Sequence, residues 1–315
     1  MVVSFVVLAK CADWLVDGAV DIARLLHVPA ILIGIVIVSV GTTAPELAVS
    51  VQAALAGQAD IALGNAVGSV IYDDGVALPM VALFAAGAVA IDRRVLRSAA
   101  IFLIVVHLVA YALCFDGTLS RPEGLVLVCG FFAYLAYTYW EQRRHRRPRE
   151  EAEDDGAQRG PLRVAMLFVA GLGGVLISSR GIIVATPVVA AALGVSQAII
   201  ALALVALGTS IPEIATCIVS ARKGHGSLAV GNILGADILN ICWIAGASAM
   251  VNDLSVEPDV IHFMFPSMLV IVFTMLGLLR LNHTFTRRKA AVLLGLFVVY
   301  AALLVTLNPG QVPVH

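Results

Sequence analysis

The sequence predicts an all-α integral membrane protein: ten transmembrane helices built as two inverted repeats of five. Three observations predict it. The 315 residues are 60% hydrophobic and only 13% charged, with mean hydropathy +0.98, whereas a soluble domain carries about 25% charged residues. Ten apolar runs alternate with short polar breaks. One 33-residue segment occurs twice.

Taken in order, the apolar runs place helices near 2–17, 28–56, 61–90, 95–115, 121–140, 161–178, 182–220 (with an internal break), 227–250, 259–280 and 289–307. Most are long enough for a bilayer crossing. The start of the chain lacks a basic n-region and an A-x-A-like cleavage site, so residues 2–20 read as a retained membrane helix. Cys11, Cys114, Cys129, Cys217 and Cys242 sit in apolar runs without C-x-x-C spacing. They are expected to be inert buried thiols, with neither a disulfide framework nor a zinc site.

Residues 141–160 form the one long hydrophilic stretch, running from Glu141 through five arginines to the acidic Glu150–Asp155 cluster. It divides the chain into a first five-helix repeat (1–140), a linker (141–160) and a second repeat (161–315). Orientation follows from where Lys and Arg fall. A cytoplasmic linker puts the Arg93/Arg94/Arg97 loop, the Arg222/Lys223 turn and the Arg280–Lys289 loop on the same inner side. The opposite loops carry Asp116, Glu123, Asp253, Glu257 and Asp259. Both termini then fall outside in this multi-pass cell-membrane protein. Five helices per half, an odd number, force the second repeat to be inverted relative to the first. Inverted repeats of this kind place a substrate site near the midplane, at broken helices, in secondary transporters.

The duplicated segment carries the chemistry. Residues 41–46 read Gly-Thr-Thr-Ala-Pro-Glu and 208–213 read Gly-Thr-Ser-Ile-Pro-Glu; over 41–73 against 208–240, twelve of the aligned columns are identical. Shared greasiness does not align Gly57 with Gly224, Gly64 with Gly231, Asn65 with Asn232 or Gly68 with Gly235. A carboxylate at mid-membrane costs roughly 2.5–3.5 kcal/mol on insertion scales, and this chain keeps two, Glu46 and Glu213. Thr42 and Glu46 share a helix face at i,i+4. Pro45 and Pro212 each remove a backbone donor and release carbonyls near residues 41 and 208. Two carboxylates, the hydroxyls of Thr42, Thr43, Thr209 and Ser210, and freed carbonyls make an all-oxygen environment suited to hard cations such as Ca²⁺ and Na⁺. The downstream helices add Ser69, Asp73, Asp237 and Asn240. Gly64/Gly68 and Gly231/Gly235 read as small-xxx-small packing pairs.

These paired motifs resemble the cation/calcium antiporter superfamily, in particular its sodium/calcium exchanger branch, as a prokaryotic-type membrane protein. The first repeat is similar to the family pattern G-T-[ST]-x-P-E followed by G-N-x-x-G-S-N-x-x-[ND], and the second is similar as well. The resemblance spans essentially the whole chain. It implies ten helices, alternating access and antiport of Ca²⁺ against Na⁺ through four clustered cation sites. By position, Glu46 and Glu213 are the ligands shared by both ions, Thr42 and Thr209 contribute to Ca²⁺, and Thr43 and Ser210 fall at Na⁺ positions. Ser39 and Ala206 are in register with backbone-carbonyl ligands, and Ser69, Asp73 and Asn240 complete the pocket.

The chain departs from the pattern at three places. It has Gly68-Ser69-Val70 and Gly235-Ala236-Asp237 where a Gly-Ser-Asn triplet is usual, so Ala236 deletes a hydroxyl. Asp73 and Asn240 occupy the last ligand position of each repeat. Asp237 is an added acid, and Asp74 is another whose facing the sequence leaves open. Coupling to H⁺ or K⁺ is therefore an alternative to Na⁺. A passive cation channel and an intramembrane aspartyl protease, suggested by Asp73 and Asp237, are rival readings that leave the duplicated Thr-x-x-x-Glu elements unused. Expected partners are inorganic cations and the bilayer, in a monomeric transport unit with no nucleic acid, no enzymatic activity and no cofactor beyond the transported ions.

Overall fold

A computed structural model describes residues 2–144, 160–192 and 208–307. The chain is almost wholly helical. The first helix, α1 (Val2–Leu26), turns at His27 and Val28 into α2, made of Ala30–Ile33, a π-helical Gly34–Val38 and Ser39–Thr42. After a break at Thr43, α3 spans Ala44–Leu55. Next come α4 (Ala59–Tyr72, π-helical Asp73–Ala77, Leu78–Phe84), α5 (Arg93–Leu113) and α6 (Arg121–Arg144). The second half holds α7 (Pro161–Ala192), α8 (Ile211–Arg222) and α9 (Gly226–Ile238, π-helical Leu239–Ala245, Gly246–Val251). It closes with α10 (π-helical Val260–Met264, Phe265–Arg280) and α11 (Arg287–Leu307).

Among the described residues, six helical stretches are long and apolar enough to cross a membrane alone: Ile61–Phe84, Arg93–Asp116, Arg121–Trp140, Pro161–Ile182, Gly226–Val251 and Val260–Arg280. Val3–Leu26 and Ala30–Thr42 meet at 118° and together make a seventh. Burial sorts these spans. Gly226–Val251 is 94% and Ile61–Phe84 72% enclosed by protein, against 28% for Pro161–Ile182. The two helices that carry the downstream polar positions are thus the central ones. The others present apolar side chains outward, as lipid-facing helices do.

Four two-residue strands record the relation between the halves. β1 (Val89–Ala90) pairs antiparallel with β4 (Thr284–Phe285), and β2 (Thr118–Leu119) pairs with β3 (Leu254–Ser255). β1 and β3 follow the third helical run of their repeats, and β2 and β4 follow the fourth. Each pair therefore joins non-equivalent loops, and exchanging the repeats turns one pair into the other. Two halves related by an in-plane two-fold axis give this pattern.

Four prolines fall where helices tolerate them. Pro45, Pro79, Pro212 and Pro266 all lie in the first two positions of a helical segment. Pro79 and Pro266 directly follow π-helical turns, where the ladder is already shifted. Gly57 and Gly224 hold φ of 72° and 80° at the equivalent tight turns before α4 and α9, a conformation open to glycine at little cost.

Four expectations need correction. The run at 161–178 does not end there: α7 continues through Ala192, so 182–192 belong to it. The Ser179-Arg180-Gly181 stretch resembles a break, yet one glycine costs only ~1 kcal/mol in a helix, and Ser178 Oγ bonds back to Gly174 O at 2.5 Å. The first helix likewise runs past residue 17 to Leu26. Residues 89–90 are strand, since Ala85 turns extended and Asp92 caps a new helix. Cys129 is exposed on the outer face of α6, while the other four cysteines are buried. Most of the 141–160 linker lies outside the described residues, α6 reaching as far as Arg144.

Candidate cation-binding site

The two proline motifs fold alike. Thr43 (φ −81°, ψ 6°) and Ser210 (φ −83°, ψ 6°) are the equivalent residues at which each helix breaks. Pro45 and Pro212 lack the N–H that would reach back to Gly41 and Gly208. Each break sets a glutamate, Glu46 or Glu213, in the first turn of the next helix, where the helix dipole favours negative charge.

Both glutamates are buried, at 1% and 0% exposure, and among the described residues none of their four carboxylate oxygens has a hydrogen-bond partner of standard geometry. The carboxylates act on each other electrostatically, with Asp73 as a third member. Hydroxyls approach across the repeat boundary: Thr209 faces Glu46, Thr42 faces Glu213 and Ser210 faces Asp73. Buried carboxylates without counter-charges are costly; around these lie hydroxyls and, beside Glu213 and Asp73, the Cys217 thiol.

An asparagine from each repeat orders the threonine of the other. Thr42 Oγ1 donates to Asn232 Oδ1 at 3.3 Å, and Thr209 Oγ1 to Asn65 Oδ1 at 3.5 Å. Asn65 Nδ2 also donates to the Glu46 carbonyl at 3.2 Å and to Ser50 Oγ at 2.9 Å. Asn232 Nδ2 has no partner among the described residues; Cys217 stands where the first repeat has Ser50. The sequence signal for this role is the identity of Asn65 and Asn232 at equivalent positions of the two repeats.

The central helices approach through glycine. A side chain at Gly231 would meet the backbone of Ile31, and one at Gly235 the backbone of Ile35, so α2 and α9 pack backbone to backbone. The packing expected of this pair is present. At Gly64 an added carbon meets nothing within 4 Å among the described residues.

The downstream positions converge as well. Ser69, Asp73, Asp237 and Asn240 are all buried, and Asn240 Nδ2 lies 3.5 Å from Asp73 Oδ2. Asp73 and Asn240 both sit in π-helical turns. Asp74, whose facing the sequence left open, is also buried and neighbours Asp237 across the repeat boundary. Thr43 Oγ1 donates to the Ser39 carbonyl at 2.8 Å, and Thr43 N does so at 2.9 Å, so that carbonyl is engaged within the chain. Ser39 and Thr43 are nonetheless buried beside the break. Ala206 lies outside the described residues. Among those described, no three carboxylate, histidine or cysteine side chains converge on one metal position. Any cation between Glu46 and Glu213 therefore draws on hydroxyl and carbonyl oxygens too.

The chain is similar to known proteins along nearly its whole length. The chain matches the family described as sodium/calcium exchanger protein over residues 1–140 and 163–306. It is 32% identical to the inner membrane protein YrbG of Escherichia coli (strain K12) over 98% of this chain and 97% of that protein. It is 26% identical to the sodium/calcium exchanger MaX1 of Methanosarcina acetivorans, covering 96% and 97%. Its fold superposes on a solved structure of the sodium-calcium exchanger NCX_Mj with a TM-score of 0.82 at 25% identity, covering 96% of this chain and 97% of that one.

Proposed function

The chain belongs to the sodium/calcium exchanger family, and on that premise we propose that it is a multi-pass antiporter exchanging Ca²⁺ for Na⁺ by alternating access at the Glu46–Glu213 site. Exchangers are transporters, and no covalent chemistry is assigned to the protein. The observation that carries the proposal is the pair of buried carboxylates, at equivalent positions of two inverted repeats, faced by hydroxyls and without a basic partner among the described residues.

The physical logic is charge balance. Empty, the site holds two or three carboxylates in a medium of low dielectric, at an effective cost of several kcal/mol per ion. One dehydrated Ca²⁺ neutralises Glu46 and Glu213; several Na⁺ do the same in its place. Either load lets the protein reorient, and the bare site resists it, which couples the two fluxes. In this assignment Glu46 and Glu213 serve both ions, Thr42 and Thr209 with the Ala206 carbonyl and, once the Thr43 hydroxyl turns away from it, the Ser39 carbonyl complete the Ca²⁺ position, and Thr43, Ser210, Ser69, Asp73, Asp237 and Asn240 serve Na⁺. Inverted repeats make the approach from either face chemically similar, as alternating access requires.

The reading includes ten crossings, a monomeric transport unit in the bilayer, both termini outside and a cytoplasmic linker between repeats 1–140 and 161–315. A second reading, coupling to H⁺ or K⁺, is favoured by one observation: Asp74 and Asp237 add two buried carboxyls beside Asp73. Uptake of ⁴⁵Ca²⁺ into proteoliposomes under imposed Na⁺, K⁺ or H⁺ gradients tests both. Uptake driven by outward Na⁺ alone supports the first reading. Uptake driven by K⁺ or H⁺ with no response to Na⁺ replaces it with the second.

A further inference from the structure

The β1–β4 pairing gathers three helix ends on one face: the start of α5 at Arg93, the end of α10 at Arg280 and the start of α11 at Arg287. Ile91 N donates to His283 O at 2.9 Å, and Arg287 Nη2 to Ala85 O at 3.5 Å, tying the two loops together. Arg93, Arg94, Arg97, Arg280 and Arg288 are exposed there, and none has an acidic partner within salt-bridge distance among the described residues. The neighbouring acid, Asp92, uses its carboxylate to cap the N–H groups of Arg94 and Val95. The opposite loops, joined by β2–β3, instead carry Asp116, Glu123, Asp253, Glu257 and Asp259.

Two further features bear on what covers this face. Arg93 and Arg94 on α5, and Arg288 on α11, lie in first helical turns, where the dipole disfavours positive charge; an external anion offsets that. Phe84 and Leu281, 45% and 59% exposed, flank the arginines at the ends of apolar spans. The patch therefore stands at the depth where apolar chain gives way to phosphate. Guanidinium groups bind phosphate oxygens two at a time, which ammonium groups do not. We propose that this arginine face binds the headgroups of anionic phospholipids, with Phe84 and Leu281 against the upper acyl chain. The proposal stands apart from the exchange reading and needs none of its ligands.

The test uses the full chain in detergent, titrated with phosphatidylglycerol or phosphatidylcholine, with bound lipid counted by native mass spectrometry. Wild-type protein is expected to retain phosphatidylglycerol over phosphatidylcholine, and R93Q/R94Q/R288Q to lose that preference at least tenfold, each arginine near an anionic surface being worth about fivefold. If the triple variant does not fold, R94Q and R288Q singly are each expected to show about a fivefold loss. Inorganic phosphate at matched concentration is expected to compete weakly, since it lacks the acyl chain. Equal retention of the two lipids by wild type, or an unchanged preference in the variants, overturns the proposal, as does full displacement by inorganic phosphate.

Discussion

Asn240 Nδ2 lies 3.5 Å from Asp73 Oδ2, so residues at equivalent positions of the two repeats meet side chain to side chain inside the protein. The contact is asymmetric in charge although the backbones around it are matched. Glu46 and Glu213 suffice to balance one Ca²⁺; Asp73 is a third carboxylate with no matching acid at position 240. Its charge is then available to a monovalent ion. D73N is accordingly expected to raise the half-saturating Na⁺ concentration more than the half-saturating Ca²⁺ concentration, read from vesicle flux at varied concentrations of each. Equal shifts in both would place Asp73 in the Ca²⁺ site itself.

The cross-repeat asparagines should matter for Ca²⁺ through geometry and not charge. N232A removes the Asn232 acceptor of the Thr42 hydroxyl, and N65A removes the Asn65 acceptor of the Thr209 hydroxyl. A hydrogen bond of this kind is worth about 0.5–1.5 kcal/mol. Each variant is expected to bind Ca²⁺ about three- to tenfold more weakly in isothermal titration. N65A should be the more damaging, because Asn65 also holds the Glu46 carbonyl and Ser50.

Packing between α2 and α9 gives a stability prediction. A methyl group at Gly231 runs into the Ile31 backbone, which cannot swing aside as a side chain does. Gly231→Ala is expected to cost about 1–3 kcal/mol, the usual penalty of overpacking. Gly277→Ala, with open space around it, should stay within about 1 kcal/mol of wild type. Thermal unfolding of both variants in one detergent separates them.

Topology can be read with a single thiol. A cysteine at position 156, in a chain whose native Cys129 has been replaced because it is exposed, should react with a membrane-impermeant maleimide only after the cells are opened. Labelling of intact cells would invert the assigned orientation.

The features legible in the sequence are those fixed by local chemistry. Proline with glutamate at 45–46 and 212–213 marked both breaks, and Gly57 and Gly224 marked both turns, because each residue type dictates its own backbone. Features set by tertiary context were not legible. The polar stretch at 179–181 looked like a helix end but is carried through within α7, and β1 exists only because β4 lies beside it. Asp74 is the sharpest case. A regular helix would turn it about 100° away from Asp73, yet both consecutive acids, at the start of the π-helical Asp73–Ala77 turn, are buried, because 72% of their span is enclosed by protein. Nothing in the residue pattern announces a π turn. The partnership of Thr42 with Asn232 was equally hidden, since it crosses between repeats 190 positions apart.

If the Glu46 and Glu213 carboxylates together hold the transported ion, Na⁺-driven ⁴⁵Ca²⁺ uptake by E46Q and E213Q proteoliposomes must reveal it. The amide is nearly isosteric with the carboxylate, and removing a costly buried charge should leave the thermal stability equal to or above that of wild type. Its missing charge, however, leaves a dehydrated divalent cation half neutralised. Each variant is expected to be folded and to show no uptake above empty liposomes. Uptake near the wild-type rate by either variant would contradict that joint role.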